Sequence, residues 1–223
     1  MTQEHWTAVD QYISNLFLPS DPVLESVLAV SAAAGLPTIN VSPVQGRFLM
    51  LLAMAHGART ILEIGTLGGY STIWLARALP EGGHLITIEA DPRYAEVARR
   101  NIAQAGLADL VELRIGLAVD ILQQLCAEER DPFDLIFIDA DKLGYADYLD
   151  WALALSHTGT FIIADNVVRK GAVVDETSGD PDVVGVQRFN QKLAAEHRVT
   201  ATIIQLVGSK GHDGFALAVV TAN

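Results

Sequence analysis

Apolar residues in the first third of the chain recur at helical spacing. In the first stretch they are Trp6, Val9, Tyr12, Ile13, Leu16 and Phe17. These positions fall on one face of a helix, and Pro19 ends the pattern. A second helix is predicted over residues 22–34, and a third after Ser42, where a serine cap precedes a proline. Residues 1–58 are therefore expected to form a helical N-terminal extension.

From residue 59 the pattern changes to short apolar runs that alternate with helical segments. The runs are TILEIG, HLITIE, LVELRI, FDLIFID and GTFIIAD. Continuous apolar strands separated by helices are typical of a parallel sheet that is covered on both faces. Two further strands, TATIIQLV and GFALAVV, flank the polar connection GSKGHD and predict a hairpin.

The predicted architecture is a doubly wound, Rossmann-like α/β fold with a mostly parallel seven-stranded sheet. The last strand is expected to be antiparallel, at or near the sheet edge. We expect residues 1–223 to form a single domain, because no repeat or linker interrupts them. Ligands of such sheets bind beyond the carboxyl ends of the strands.

The composition excludes or disfavours several classes of protein. Half of the residues are hydrophobic and 19% are charged, which excludes a disordered chain. The formal net charge of −12 disfavours binding to nucleic acid, and the single cysteine cannot form an internal disulfide. The chain shows neither a signal-peptide pattern nor an apolar run of the roughly 20 residues that span a membrane. We therefore expect a cytoplasmic protein without a membrane segment.

The first strand leads into a glycine-rich loop, LEIGTLGGYST. A dinucleotide fingerprint would need glycine at 65, 67 and 70, but Leu67 and Tyr70 occupy two of these positions. Glu63 would repel a pyrophosphate and suits a cationic ligand instead. Ser71 opens the next helix, where it could cap the helix or contact a ligand carboxylate. An ordinary strand–helix turn is the alternative interpretation.

Glu89 ends the second strand, where nucleoside-binding folds place the carboxylate that binds ribose hydroxyls. A solvated glutamate is an equal alternative. Together with Glu63 and the glycine loop, Glu89 supports an adenosine ligand without phosphates. S-adenosylmethionine fits, because its amino group and sulfonium are positive.

The fourth and fifth strands end in acidic motifs, FIDADK and FIIADN. If these strands are neighbours, Asp139, Asp165 and Asn166 supply three oxygen ligands, which suit Mg²⁺, with Ca²⁺ or Mn²⁺ as alternatives. Lys142 could accept a proton beside the cation. The alternatives are a capping or exposed Asp141, a simple turn at 165–166, and a Lys142 that only pairs with acids.

These motifs together resemble the cation-dependent O-methyltransferases, the group that contains catechol and caffeoyl-CoA O-methyltransferases. The resemblance runs from about Val41 to the C-terminus. It is carried by LEIGTLGGYST, ITIEADP, FDLIFIDADK, YADYLD and ADNVVRKG, and more weakly by VQRFN and GHDGFALAVV.

The resemblance implies a set of roles. Asp139, Asp165 and Asn166 would bind the cation, and Lys142 with Asp139 would form the catalytic centre. Seven positions match donor-binding residues, namely Val41, Glu63, Gly65, Ser71, Glu89, Ala118 and Asp141. The implied reaction is methyl transfer from S-adenosylmethionine to one of two vicinal hydroxyls on a catechol-like or caffeoyl-type small molecule. The family also implies a homodimer.

The chain departs from the family after the fifth strand. Arg169 and Lys170 stand near a position where relatives carry an apolar residue. They could attract an acidic acceptor, or they could be solvated loop charges. Three other functions remain as alternatives: a tRNA hydroxyuridine O-methyltransferase, a nicotinamide-dependent oxidoreductase and a nonenzymatic adenosine-ligand sensor.

Overall fold

The computed structural model describes residues 2–128 and 130–222. Three helices precede the sheet: α1 (Gln3–Phe17), α2 (Pro22–Ala33) and α3 (Pro43–His56). Ser42 caps α3 through a capping box with Gln45, as the serine–proline pair predicted. The predicted helical extension is therefore confirmed.

A seven-stranded sheet follows, with helices on both faces. Its strands are β1 (Thr60–Ile64), β2 (His84–Glu89), β3 (Val111–Ile115), β4 (Phe133–Ile138), β5 (Ser156–Asp165), β6 (Val199–Gly208) and β7 (Gly211–Val220). The remaining helices are α4 (Tyr70–Ala76), α5 (Pro92–Gln104), α6 (Ala118–Ala127), α7 (Tyr145–Ala154) and α8 (Pro181–Ala195). The strand order is β3-β2-β1-β4-β5-β7-β6. This confirms the predicted doubly wound fold.

The last two strands form the predicted hairpin, but with a much shorter connection. The ladder continues to the pair Gly208–Gly211, so only two residues of the six-residue GSKGHD segment form the turn. Strand β7 inserts between β5 and β6 and runs antiparallel to both. The last strand is therefore antiparallel and one position in from the edge, which β6 occupies.

Both faces of the sheet are buried in apolar cores because successive strand side chains point to opposite sides. On β1, Leu62 belongs to the core beneath α6, α7 and α8, while Ile61 belongs to the core beneath α2 to α5. The N-terminal helices thus extend the second core. None of the helices in residues 2–128 and 130–222 is long and apolar enough to cross a membrane.

Four parallel strands end at one level. Ile64 pairs with Ile88 of β2 and with Ile138 of β4, and Ile138 pairs with Ala164 of β5. The next residue of each strand therefore falls in a single row along the carboxyl edge. That row consists of Glu89, Gly65, Asp139 and Asp165.

At Gly65 the backbone lies so close to the backbone of Asp139 that we expect no side chain to fit there. A Cβ at Gly65 would lie 2.0 Å from the Asp139 carbonyl oxygen, and its φ is +101°. Gly65→Ala should lower the free energy of unfolding by about 2–5 kcal/mol, from strain and overpacking combined. Urea unfolding measures this loss.

Gly106→Ala is the matched control, because Gly106 also has a positive φ, +72°, but open space around its Cβ position. It should cost only about 1 kcal/mol. Equal losses in the two variants would contradict the close approach of the β1 and β4 ends.

Candidate functional site

The glycine loop begins at Gly65 and delivers the chain into α4. Gly69, at φ +82°, is the N-cap of this helix and no side chain caps it. The prediction that Ser71 could cap the helix is therefore wrong, because the helix has already begun at Tyr70. Leu67 also takes a left-handed conformation, with φ 52°. The loop is thus held in a shape that its sequence alone does not favour.

Glu89 stabilises that shape. One carboxylate oxygen accepts the Leu67 N–H at 2.8 Å, and the other accepts the Asp91 N–H at 2.8 Å. A carboxylate has about four acceptor positions, so each oxygen can still accept a ligand hydroxyl. Glu89 therefore stabilises the loop, and its carboxylate can still accept hydrogen bonds from the hydroxyls of a ribose.

Glu63 lies fully buried one residue before the loop. Its Oε2 accepts the hydroxyls of Thr72 at 2.5 Å and Thr87 at 2.7 Å, and the Thr66 and Thr87 hydroxyls are 2.5 Å apart. Its Oε1 is buried and makes no hydrogen bond of ordinary geometry, although the Ser71 hydroxyl lies close enough to the carboxyl to lower its pKa. Burial raises the pKa of Glu63 to about 7, and the neighbouring hydroxyls oppose that shift. An unpaired, buried carboxylate oxygen is costly, and a cationic ligand would relieve the cost.

Lys142 is buried beside Asp139. It lies on a 3-10 turn (Lys142–Gly144) directly after β4 and is only 7% exposed. Its Nζ donates to Asp139 Oδ1 at 3.1 Å and to the Tyr145 hydroxyl at 2.6 Å. The predicted pairing of Lys142 with an acid is present, and it places an amine at the edge where β4 ends.

Asp165 is buried at the end of β5, next to Asp139 in the row of strand ends. Burial, reinforced by the negative charge of Asp139, raises the pKa of Asp165. Asn166 follows in a left-handed conformation, at φ 58°, and its N–H donates to Asp165 Oδ1 at 2.8 Å. The three predicted cation ligands thus lie on two adjacent strand ends.

The chemistry of this donor set fits a hard divalent cation. In the described part of the chain, no three His, Cys, Asp or Glu side chains gather as a metal site of those types alone would need. The candidate ligands are instead two carboxylates and one amide, all through oxygen, which is the donor type of Mg²⁺, Ca²⁺ and Mn²⁺. Two carboxylates beside one lysine also leave one negative charge for a cation to neutralise.

The remaining predicted donor positions surround this edge in different ways. Asp141 caps the 3-10 turn by accepting the Gly144 N–H at 3.0 Å, and it accepts the Tyr148 hydroxyl at 2.5 Å. This is the capping alternative, and both of its oxygens are engaged. Ala118 is the first residue of α6, and Val41 is buried just before α3.

Val41 also lines a small apolar pocket that reaches Asp165. Phe48, Phe137 and Phe215 form much of its wall. A larger cleft of about 470 Å³ opens between Val173 and Gln191. None of the predicted site residues lines that cleft, so the small pocket is the relevant one for chemistry at the strand ends.

The loop after β5 depends on a residue that the sequence analysis missed. Asp213 Oδ1 accepts the N–H groups of Val168 and Arg169, at 3.1 and 2.9 Å. The Arg169 guanidinium pairs with Asp182 at 2.9 Å. This partly exposed ion pair offsets some of the Arg169 charge, and attraction of an acidic acceptor by Arg169 and Lys170 stays a prediction.

Comparisons with known proteins agree with this geometry. The model of a family described as O-methyltransferase matches residues 15–219. The chain belongs to this O-methyltransferase family. It is 54% identical over 220 residues to a catechol O-methyltransferase from Niastella koreensis, covering 99% of this chain and 100% of that protein. The family predicted from the sequence motifs is therefore confirmed.

Solved structures show the same fold in related methyltransferases. The O-methyltransferase from Bacillus cereus in complex with SAH (S-adenosylhomocysteine) superposes with a TM-score of 0.97 at 59% identity, covering 99% of this chain and 100% of that one. The Streptomyces achromogenes O-methyltransferase TomG, in complex with SAM (S-adenosylmethionine), has a TM-score of 0.96 at 49% identity, with full coverage of both chains.

The raised pKa of Glu63 in this methyltransferase predicts a pH-dependent cost in stability. Above pH 4.5 the unfolded chain ionises Glu63 more readily than the folded one, so the cost grows until about pH 7. Glu63→Gln should therefore stabilise the ligand-free protein by about 3 kcal/mol at pH 8 and by less than about 1 kcal/mol at pH 5. Urea unfolding at the two pH values measures both.

The control is Glu96→Gln. Glu96 is exposed on α5, and hydrogen bonds from Arg100 and Arg99 lower its pKa. Its replacement should slightly lower the stability at pH 8, which is the opposite sign. A gain from Glu63→Gln that is the same at both pH values would show that Glu63 does not titrate as described.

Proposed function

We propose that this chain is a SAM-dependent, divalent-cation-dependent O-methyltransferase of the cytoplasm. Its acceptor is a catechol-like or caffeoyl-type small molecule, which it methylates on one of two vicinal hydroxyls. The observation that carries the proposal is the buried Lys142 amine, which donates a hydrogen bond to Asp139. Asp139 itself lies in the row of strand ends with Gly65, Glu89 and Asp165. A base, a cation site and a donor loop would thus meet at one edge.

Donor binding is supported by the two glutamates. Glu63 Oε1 is buried and unpaired, which suits the donor's ammonium group. Glu89 retains acceptor capacity for ribose hydroxyls, and Gly65 lets the backbone approach closely. Val41, Ser71, Ala118 and Asp141 would complete the donor site. The SAH and SAM complexes of the two related methyltransferases support the same donor.

Asp139, Asp165 and Asn166 would hold the cation. When bound, the cation lowers the pKa of an acceptor hydroxyl and aligns it for attack. Mg²⁺ is the proposed ion, and Ca²⁺ and Mn²⁺ are alternatives. The chain's own contribution would be three oxygen ligands at two adjacent strand ends, those of β4 and β5.

Lys142 would take the proton of the reacting hydroxyl. The hydroxyl oxygen then bonds to the donor methyl carbon as the carbon–sulfur bond breaks, which releases SAH. Holding both reactants in line accounts for much of the rate. The pocket beside Asp165 holds only about 20 Å³, so its aromatic side chains could border a planar acceptor but not enclose it, and the name of the Niastella relative points to catechols.

We further propose that residues 1–223 form one methyltransferase domain that functions as a homodimer. Large apolar side chains are exposed on α1 and on the edge strand β6. They include Tyr12, Leu16, Phe17, Ile203, Ile204 and Val207. Because β6 is the last strand in the sheet order, a second copy of the chain could pair with its outer edge and cover the exposed side chains of α1.

The proposed reaction is tested by transfer of a labelled methyl group from SAM to catechol, a caffeoyl ester and total tRNA. Catechol or caffeoyl labelling should require Mg²⁺ and fall at least 100-fold in EDTA. Asp165→Ala should lose labelling to a similar extent, because a cation ligand is missing. Asp109→Ala should retain normal activity, because Asp109 is exposed and precedes β3, at the opposite edge of the sheet from the strand ends of the site.

Labelling that persists in EDTA would contradict the cation requirement. Labelling confined to tRNA would replace the small-molecule acceptor with an RNA one. Failure of the wild type to bind SAM would overturn the proposed function as a whole.

A further inference from the structure

Tyr145 lies at the start of α7 and is fully buried. Its hydroxyl makes three contacts at the site. It lies 2.9 Å from the Asp165 carbonyl oxygen and 3.2 Å from the Ile138 carbonyl oxygen. It also lies 2.6 Å from Lys142 Nζ. The phenol thus touches the ends of β4 and β5 and the candidate base at once.

The direction of these hydrogen bonds follows from the chemistry of the partners. Carbonyl oxygens only accept, so the single phenol proton must point to Asp165 and Ile138. The phenol oxygen is then left as an acceptor, and Lys142 Nζ must donate to it.

From these contacts we infer that Tyr145 is a positioning residue for methyl transfer, which aims Lys142 Nζ at the acceptor hydroxyl. This inference rests on the proposed function, in which Lys142 takes the proton. An amine that donates one N–H to Tyr145 and one to Asp139 has only its remaining directions free. The remaining position on Nζ then points away from both partners.

The same phenol also ties the base to the cation ligands. Asp139 follows Ile138, and the Asp165 carbonyl belongs to a candidate ligand itself. A rotation of the Lys142 side chain would leave the buried phenol oxygen without a donor, which is costly. The hydroxyl therefore links the base to the end of β5, while the direct bond from Lys142 to Asp139 links it to the end of β4.

Tyr145→Phe removes that hydroxyl and keeps the ring, which packs edge-on against Phe189 with the centroids 5.5 Å apart. We expect kcat to fall at least tenfold. The Kd for SAH, the acceptor KM and the Mg²⁺ activation constant should stay within threefold of wild type. A lower kcat with unchanged binding constants would show that the hydroxyl orients Lys142. A distorted strand end would weaken Mg²⁺ activation as well.

Tyr148→Phe is the matched control. It removes a phenol from the same helix, but that phenol donates to Asp141 and does not contact Lys142. Its kcat should stay within threefold of wild type, and any effect should fall on the Kd for SAH, because Asp141 is a proposed donor position. If Tyr145→Phe does not fold, 3-fluorotyrosine incorporated at position 145 keeps the ring and hydroxyl but makes the oxygen a poorer acceptor. It should lower kcat about two- to fivefold.

Lys142→Ala, assayed in parallel, distinguishes the proposed role of Lys142 as the base from the inferred role of Tyr145 in positioning it. A wild-type activity that does not depend on Lys142 would refute the proposed role of the base. An activity that depends on Lys142 but not on the Tyr145 hydroxyl would overturn the inference alone. A loss in Tyr145→Phe that is matched by equally weakened Mg²⁺ activation would also overturn it.

Discussion

The register of the parallel strands is the constraint on which the rest of the site depends. Because β2, β1, β4 and β5 end at one level, a single residue from each strand reaches the same edge. Parallel neighbours lie about 4.8 Å apart, so these residues meet without any long side chain having to bridge a gap. A shift of one residue in β4 would turn Asp139 to the other face and separate it from Asp165.

That edge concentrates buried polar groups that oppose folding. Glu63, Lys142 and Asp165 are each almost completely removed from solvent, and burial raises the pKa of both acids. The two apolar cores on either side of the sheet provide the stability that keeps these groups in place. A cationic donor and a divalent cation would relieve the same electrostatic strain, so ligand binding and stability are coupled at this site.

Local patterns in the sequence predicted the strands, the capped helices and the acids at the strand ends, because each depends on residues within one or two turns. Ser42 and its following proline are an example, and the structure shows the predicted cap. Local patterns could not predict that β7 inserts between β5 and β6, because the order of strands in a sheet depends on contacts between residues far apart in the chain.

The supporting residues of the site were missed for the same reason. Asp213 stabilises a loop 44 residues away in sequence, and Thr87 donates to Glu63 from a different strand. Tyr145 was visible only as part of a tyrosine-rich motif. Its role emerged from one short contact to Lys142 and two to backbone carbonyls. Asp141 caps a turn, as one of its alternatives predicted, and its match to a donor-binding position stays a prediction.

The most direct measurement of the central claim is a crystal structure with SAH and Mn²⁺, located by its anomalous scattering. One strong peak is expected within coordination distance of side-chain oxygens of Asp139, Asp165 and Asn166. SAH should lie with its amino group beside Glu63. A peak elsewhere, or SAH bound with no peak at the ends of β4 and β5, would contradict the claim that these strand ends form a cation site.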